Sequence, residues 1–447
     1  MADQDRGAVA GDATTLEDRN AADTTVAGRP VGAARDQRFA RLAGFARATW
    51  YPVRAALPAW LLAHAIVLAA LAAVWRLNDG RLPHTGDAPT SLGLFVWDSG
   101  WYQALAAHGY HSFGPEAVRF FPLLPLLTRV LATVTGLPAG VVLLAVCWLA
   151  ALGYGAALFT LTRKVTGDEG VARRAAWLAQ LVPGANVLVL GYTEALAGLL
   201  AVLFFWALRD GRWINVIPVG LASGLVRPTG VLLVLPAAVT LVASSGPGWL
   251  GRPLGGRLIR ARRPDRPEGR RDEPDRPEGR PGRPARRLAR IGLPLVATAS
   301  PVLGVGLYLA RSAAVHGDPL LPYTTQTSQG LRGGLVVNAL PYLVRTDRLG
   351  PPWPLALSLA VAAVALLVVC ARRLPAAWTV WAAAGVATAM TASGLHSLPR
   401  YLSGLFPLLV AAALVTRAPR AWTATLGACL VGFTYLAFIT FTRHYVP

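Results

Sequence analysis

The sequence has little charge, and its cations are almost all of one kind. Only 15% of its 447 residues are Asp, Glu, Lys or Arg, whereas a soluble globular protein carries about 25%. Lys164 is the single lysine, so arginine supplies nearly all of the cations behind the formal net charge of +20. An arginine bias beside abundant Ala and Gly is typical of a GC-rich bacterial genome. We therefore interpret the charge as composition and topology, and expect no nucleic-acid partner.

Cysteine is also scarce, and its positions exclude two kinds of site. The three cysteines, Cys147, Cys370 and Cys429, all lie inside apolar runs. None has a second Cys or a His at metal-ligand spacing, so the pattern predicts neither a disulfide framework nor a zinc site. The sequence also lacks a dense group of aspartates. We expect a protein that uses no metal or other cofactor.

Long apolar runs take the place of the missing charge. Hydrophobic residues make up 54% of the chain, and runs such as 57–75 and 354–371 approach the roughly 20 residues that cross a bilayer as a helix. Because the bilayer offers no water to unpaired backbone groups, spanning segments are helical. The sequence predicts an all-α, polytopic helical membrane protein with about 11 transmembrane helices. The first run follows a polar stretch of about 55 residues, so we expect no signal peptide.

Two polar segments divide the chain. Residues 1–50 have no apolar period and predict a disordered cytoplasmic tail. Residues 246–290 are rich in Arg and Pro and contain "PDRPEGR" twice. Because proline at this density prevents helix formation, we predict a disordered cytoplasmic loop, for which binding of anionic lipid is an alternative role. This loop separates an N-terminal transmembrane module, 51–245, from a C-terminal one, 291–447.

Arginine-rich connections orient the spans, because segments with excess positive charge remain in the cytoplasm. The N-terminus is then cytoplasmic, the C-terminus lies outside, and 78–118 becomes an outer loop with a juxtamembrane helix. The stretch 120–136 is broken by two prolines and is predicted to be an interfacial or re-entrant helix. "RPTG" at 227–230 is predicted to separate two short spans within 213–245. The remaining spans are predicted near 57–76, 138–162, 175–190, 194–208, 291–312, 353–371, 376–393, 401–416 and 421–440.

The polar residues that are costly near lipid fall on the predicted outer side. Ionisable side chains at membrane depth usually mark a functional site or a paired structural network. They are Asp98 in "WDSGWY", Glu194 in "GYTE", Arg227 in "RPTG", His316 and Asp318 in "HGDP", and His396 and Arg400 in "HSLPRY".

Each of these residues also has a purely structural interpretation. Asp98 would cap a juxtamembrane helix among aromatic residues that form an interfacial belt. Glu194 and Arg227 would form a buried pair that locks two helices. Arg400 would extend its side chain to the interface, and His316 would be an ordinary loop residue. The tyrosines nearby are interpreted as interface anchors: Tyr192, Tyr323 and Tyr401.

A carboxylate and two arginines at an outer cavity suit the transfer of a sugar from a lipid phosphate to a hydroxyl. The hydroxyl needs a general base within hydrogen-bond reach, a role that fits Asp98. The leaving phosphate is anionic, and arginine binds and stabilises such a group, so we assign it to Arg227 and Arg400. The residues predicted to contact the substrate are Trp97, Trp101, Tyr102, Glu194 and His396.

With these residues identified, the sequence resembles a known family. "WDSGWYQALAAHGY" followed by "RFFPLLPLL" is similar to the signature of the PIG-V-type mannosyltransferases, within the GT-C class of membrane glycosyltransferases. "GYTEALAGLLAVLFFWALRDGRW", "GLASGLVRPTG", "HGDPLLPYTTQ" and "LPRYLSGLFPLL" continue the pattern in the same order. The resemblance extends over residues 57–440, interrupted by the Arg- and Pro-rich loop. The first motif and "RPTG" are specific in combination.

The resemblance implies a GT-C-like multispan enzyme of the plasma membrane that uses a polyprenyl-phosphate mannose donor on the extracytoplasmic side. It implies that Asp98, in the first outer loop, is the catalytic base of an inverting transfer. Glu194, Arg227 and Arg400 match motif positions, with Glu194 expected to orient the site or bind the acceptor. The bacterial composition favours an acceptor in the cell envelope: a glycan, glycolipid or protein.

Other functions stay open at this point. A transporter or flippase of a lipid-linked sugar would have polar residues at the bilayer midplane and broken helices in two related halves, and the sequence has neither pattern. A GT-C enzyme that uses another polyprenyl-phosphate sugar would need a similar base and phosphate site. A non-catalytic membrane scaffold would tolerate substitution of Asp98.

Overall fold

The structure is a computed structural model that describes residues 31–83, 88–89, 92–245, 283–328, 353–390, 395 and 397–442. Internal contacts divide the chain into two units, Met1–Trp50 and Tyr51–Pro447. In the described part of both units every regular element is an α-helix or a 3-10 turn. The predicted all-α class is therefore confirmed.

The α-helices are numbered here in chain order over the described residues. They are α1 (Val31–Leu77), α2 (Asp98–His108), α3 (Leu123–Thr135), α4 (Ala139–Thr166), α5 (Glu169–Leu181), α6 (Glu194–Arg209), α7 (Trp213–Val226), α8 (Val234–Ser245), α9 (Arg283–His316), α10 (Leu321–Ser328), α11 (Trp353–Arg373), α12 (Ala376–Ala389), α13 (Leu398–Ser403), α14 (Phe406–Val415) and α15 (Pro419–Thr440).

Five segments of the described helices are long and apolar enough to cross a membrane. They are Trp50–Leu77, Ala139–Thr166, Gly292–His316, Pro354–Arg373 and Pro419–Thr440. Other apolar helices, α3, α7, α12 and α14 among them, are only 10–17 residues long, which is short for a crossing of about 30 Å at 1.5 Å per residue. The total of about 11 spans stays a prediction.

Two segments predicted as single spans are broken in the structure. The 175–190 span ends with α5 at Leu181, because Pro183 and Gly184 follow and Gly184 has a φ of +91°. The 401–416 span is divided between α13 and α14, with Pro407 near the start of the second helix. A proline cannot continue the hydrogen bonding of a preceding helix, so short helices with irregular joints result.

Helix also extends into both polar segments. α1 begins at Val31, within the segment predicted to be a disordered tail, and α9 begins at Arg283, within the predicted disordered loop. Both extensions are rich in Ala, Arg or Leu, which are good helix formers. Residues 1–30 and 246–282, with the duplicated "PDRPEGR", lie outside the described residues.

α7 and α9 pack closely because small residues face each other across their contact. A methyl group added at Gly224 would overlap the carbonyl oxygen of Pro301, and one added at Gly304 would overlap that of Leu221. Such close backbone approach is how helices associate where water supplies no driving force. It fixes the C-terminal end of α7, from which Arg227 extends.

Candidate active site

Asp98 is the first residue of α2, and its backbone entry is strained. The preceding residue, Trp97, has φ 57° and ψ −130°, a conformation that is uncommon for a residue with a side chain. The Trp97 indole nitrogen donates a hydrogen bond of 2.9 Å to the carbonyl of Thr440, the last residue of α15. A carboxylate is also favourable at a helix N-terminus. Local strain held by a distant partner is typical of functional sites.

Three further charged residues come from other helix ends. Glu194 is the first residue of α6. Arg227 follows α7 in an extended conformation, as expected before Pro228, because proline disfavours the helical region for the residue that precedes it. Arg400 lies in the short helix α13. The sequence therefore supplies each side chain at or near the end of a helix.

These four residues form one connected network, which we call the buried cluster: Asp98, Glu194, Arg227 and Arg400. Arg400 Nη1 lies 2.9 Å from Asp98 Oδ2, and Arg400 Nε lies 3.3 Å from Glu194 Oε1. Arg227 Nη1 lies 3.0 Å from the same Glu194 oxygen. Two carboxylates thus face two guanidinium groups, and the formal charges balance.

Burial makes these ion pairs energetically important. The side chains of Glu194 and Arg400 are 3% and 9% exposed, Arg227 is 17% exposed and Asp98 is 33% exposed. Burial by itself would lower the pKa of Arg400, but the carboxylates of Glu194 and Asp98 raise it well above its ordinary value. Arg400 is thus a permanent cation, and an isolated charge at such a depth would be strongly destabilising.

Two tyrosines enclose the Arg400 guanidinium. Its Cζ lies 5.4 Å from the ring centre of Tyr192 and 5.1 Å from that of Tyr401, within the range of a cation–π contact. Arg400 Nη2 donates to the Tyr401 hydroxyl at 3.3 Å, and the Asp98 backbone N–H donates to the Tyr192 hydroxyl at 3.3 Å. Both tyrosines are predicted from the sequence to be interface anchors, but in the structure both contact Arg400 of the buried cluster.

A cavity opens beside the cluster, with about 820 Å³ of empty volume that includes space open to solvent. Glu194, Arg227 and Tyr401 line it at one place, and Ser223 and Thr229 add hydroxyl groups. Thr388 adds a further hydroxyl, and the rest of the described wall is apolar or small: Ala197, Gly198, Ala201, Gly230, Leu232, Leu233, Trp381, Gly385, Ala389, Gly404 and Leu405. Neither Asp98 nor Arg400 is among the described residues that line this cavity. On one side of the buried cluster, Glu194 and Arg227 face the apolar cavity. Asp98, which is more exposed than the other three residues, does not line it.

The aromatic residues predicted to contact the substrate have different positions. Trp101 and Tyr102 are buried among apolar residues, where the Trp101 ring stacks on Phe120 at 5.4 Å and the Tyr102 ring meets the edge of Phe120 at 5.2 Å. The Trp101 ring also meets the edge of Phe113 at 5.8 Å. Their ring faces are occupied by protein in this structure. Trp97 is half-buried beside Asp98. Their role in substrate binding stays a prediction.

The other predicted site residues lie apart from the cluster or beyond what is described. Asp318 Oδ1 accepts the backbone N–H of Leu320 at 2.8 Å, and His316 is exposed at the end of α9. This local turn accounts for Asp318 without a functional role. His396 lies outside the described residues.

The comparisons with known proteins are sparse. No protein-family model matches the sequence, and no curated protein matches it. The chain is similar to a crystal structure of the oligosaccharyltransferase of Archaeoglobus fulgidus in complex with Zn and sulfate, with 14% identity, a TM-score of 0.44, and coverage of 87% of this chain and 53% of the other. It is also similar to the archaeal oligosaccharyltransferase AglB from the same organism, in complex with an inhibitory peptide and a dolichol-phosphate. Here the identity is 14% and the TM-score 0.41, and the match covers 88% of this chain and 56% of the other. The chain thus spans about half the length of these proteins, and we draw no functional assignment from the similarity.

Proposed function

We propose that the chain is a membrane glycosyltransferase of the GT-C class, similar to PIG-V-type mannosyltransferases. It transfers mannose from a polyprenyl-phosphate donor to a hydroxyl of a cell-envelope acceptor on the extracytoplasmic side. One observation carries the proposal: a partly exposed carboxylate, Asp98, is joined through Arg400 and Glu194 to an arginine that lines an apolar cavity. A base and a phosphate-binding cation are thus held in one rigid network.

In the proposed reaction Asp98 accepts the proton of the acceptor hydroxyl. The hydroxyl oxygen forms a bond to the anomeric carbon of the donor sugar from the face opposite the phosphate, which inverts the configuration. The bond between that carbon and the phosphate oxygen breaks, and polyprenyl phosphate leaves with the electron pair. Asp98 is suited to this step because its side chain is the most exposed of the buried cluster.

The cavity suits the donor. Arg227 lines it, is partly exposed and is already turned toward a carboxylate oxygen, so a phosphate oxygen has a guanidinium to bind. The apolar walls match a prenyl chain, which gains free energy when it leaves water. Arg400 lies behind the described wall and adds positive charge to the same phosphate site. Glu194 lines the cavity beside Arg227, where its carboxylate would accept a hydrogen bond from a sugar hydroxyl.

On the acceptor side we propose that Trp97 flanks the sugar-binding space, and that His396 binds the substrate stays a prediction. Trp97 is half-buried next to the base, and an indole offers an apolar face to a sugar ring. Trp101 would contact a sugar only after Phe120 and Phe113 move aside, so we expect its substitution to act first on packing.

The test is transfer of labelled mannose from polyprenyl-phosphate mannose by purified, reconstituted protein, with envelope extract as acceptor. We expect transfer by the wild type and a loss of about 100-fold or more in turnover for Asp98→Asn, since general-base catalysis contributes about 10² to 10⁴. Asp79→Asn is the matched control, because Asp79 is an exposed acid within the same predicted outer loop and asparagine tolerates its positive φ of 53°.

The possible outcomes separate the competing functions. Equal loss in both variants would contradict the role of Asp98, and loss of folded Asp98→Asn protein would favour a capping role instead. Transfer from another polyprenyl-phosphate sugar alone would replace mannose but keep the enzyme class. Movement of the donor across the vesicle membrane without a transferred product would indicate a transporter.

A further inference from the structure

The segment between α5 and α6, residues 182–193, is buried although it contains no α-helix. Its only regular element is the 3-10 turn Ala185–Leu188. Buried backbone without regular structure must find hydrogen-bond partners elsewhere. Some of the partners are backbone groups of the segment itself, as in the bond from the Leu190 N–H to the Val187 carbonyl. Others are side chains of different elements: Trp148 donates to the Val189 carbonyl at 2.8 Å, and Ser99 Oγ accepts the Gly191 N–H at 3.0 Å. The segment is therefore fixed from several sides at once.

This segment contacts both members of the Asp98–Arg400 pair. Tyr192, 1% exposed, accepts the Asp98 N–H with its hydroxyl and lies under the Arg400 guanidinium with its ring. Gly184 lies against the backbone that leads into Arg400, where an added methyl group would be 2.6 Å from the Arg400 nitrogen. Ser99, which accepts from Gly191, is the residue after Asp98.

Tyr192 differs from Tyr401 in what it touches. Tyr401 lines the cavity and contacts both arginines, so a bound donor would meet it directly. Tyr192 is not among the described lining residues. Its hydroxyl contacts Asp98, and its ring contacts Arg400. Burial raises the pKa of Tyr192 well above its ordinary value, and the nearby Asp98 carboxylate raises it further. Its phenol therefore stays protonated and takes no part as an acid at neutral pH.

We propose that Tyr192 is a positioning residue, which fixes the backbone of Asp98 and the guanidinium of Arg400 in one geometry for proton transfer. The inference rests on the proposed function, in which Asp98 is the base. This one side chain holds both members of the Asp98–Arg400 ion pair, because its hydroxyl contacts Asp98 and its ring contacts Arg400. Neither group of Tyr192 needs to reach the substrate.

The test is the Tyr192→Phe variant, which keeps the ring and removes the hydroxyl. We expect kcat to fall about tenfold, as for loss of one hydrogen bond that holds a reacting group, while KM for the polyprenyl-phosphate donor stays unchanged. In the Asp98→Asn background the same substitution should cause no further loss. Tyr154→Phe is the matched control, because Tyr154 is a fully buried tyrosine whose hydroxyl reaches the Ser403 carbonyl at 3.5 Å and not the base.

A second measurement does not depend on activity. Amide hydrogen exchange in a peptide that contains Asp98 should be faster in Tyr192→Phe than in wild type and unchanged in Tyr154→Phe. The positioning role would be overturned if kcat or the exchange rate were unchanged in Tyr192→Phe. It would also be overturned if Tyr192→Phe lowered the turnover of the Asp98→Asn variant by the same factor as that of the wild type. If the wild type transfers no sugar, the proposed function fails, and the exchange measurement alone then decides whether Tyr192 holds the base segment.

Discussion

The two ends of α6 carry charged groups in opposite environments. Glu194, its first residue, is 3% exposed and belongs to the buried cluster. Arg209, its last residue, is 41% exposed and pairs at 3.4 Å with Asp210, which also lies 3.4 Å from Lys164. At about 1.5 Å per residue the two ends are about 22 Å apart. We call Lys164, Arg209 and Asp210 the exposed cluster, because its two cations are 38% and 41% exposed, although Asp210 itself is 18% exposed.

The difference shows what burial adds to the same pairing chemistry. In the exposed cluster water screens the charges, and such pairs contribute about 0–1 kcal/mol. In the buried cluster each charge depends on its partners, because removal of one member leaves another without compensation. The exposed cluster can therefore lose a member with small effect, whereas the buried cluster has the rigidity that a catalytic geometry needs. Three substitutions sharpen this comparison.

The largest effect is expected for Arg400→Met, which leaves the carboxylates of Asp98 and Glu194 without their shared cation. We expect a loss of about 3–5 kcal/mol in the free energy of unfolding and loss of transfer activity, measured by thermal denaturation in detergent and by the transfer assay. Arg209→Met at the exposed cluster is the control and should cost less than about 1 kcal/mol.

A second variant separates charge from packing at this position. Adding Asp98→Asn to Arg400→Met removes the carboxylate that pairs with Arg400 alone among the described residues, whereas Glu194 keeps Arg227 as a partner. The double variant should therefore recover part of the lost stability without recovering activity. If Arg400→Met unfolds no more readily than Arg209→Met, the buried cluster does not stabilise the fold as described here.

A smaller effect on stability is expected for Gly184→Ala. Gly184 has a φ of +91° and touches the backbone before Arg400, so a methyl group must displace that backbone. We expect a loss of about 1–3 kcal/mol and a fall in turnover of about 100-fold, since a displacement of about 1 Å has such an effect on catalysis. Gly211, near the exposed cluster, has a φ of +66° with open space around it.

Gly211→Ala is therefore the matched control, because it brings the same backbone strain without the collision. It should cost about 1 kcal/mol and leave turnover unchanged. Equal losses of turnover in the two alanine variants would mean that strain alone, and not contact with Arg400, accounts for the effect of Gly184→Ala.

The smallest effect is expected at the exposed cluster itself. Burial would raise the pKa of Asp210, but Lys164 and a hydrogen bond from the Trp206 indole lower it overall. Because its folded-state pKa lies below the unfolded value near 3.8, Asp210 stabilises the fold above that value and ceases to do so as the pH falls through the folded pKa. Asp210→Asn should thus lower stability by under about 1 kcal/mol at pH 7 and flatten the loss of stability toward acidic pH.

The sequence by itself indicates the chemistry of the site but not its arrangement. Asp98, Glu194, Arg227 and Arg400 stand out as ionisable residues beside apolar runs, and the structure joins all four. The pair Glu194–Arg227, first considered as a structural alternative, is present at 3.0 Å within the same network as the proposed base. The structural and catalytic interpretations therefore describe one assembly.

Other features could not be inferred from the sequence. In the sequence, Tyr192 and Trp101 are each an aromatic residue near a charged one. In the structure Tyr192 contacts Arg400, whereas Trp101 packs on Phe120. The roles of Gly184 and Thr440 depend on contacts with residues far along the chain. Such contacts leave no periodic signal, so no local pattern predicts them.

The sequence alone determined the helical class, the apolar runs and the four charged side chains, because hydropathy and residue chemistry act locally along the chain. Only the tertiary structure decided which charge pairs with which, where the predicted spans break, and which aromatic rings face the cluster. Those outcomes depend on the packing of helix ends that are distant in the sequence, as between Asp98 and Arg400, and pairing energies become large only once the fold has excluded water from them.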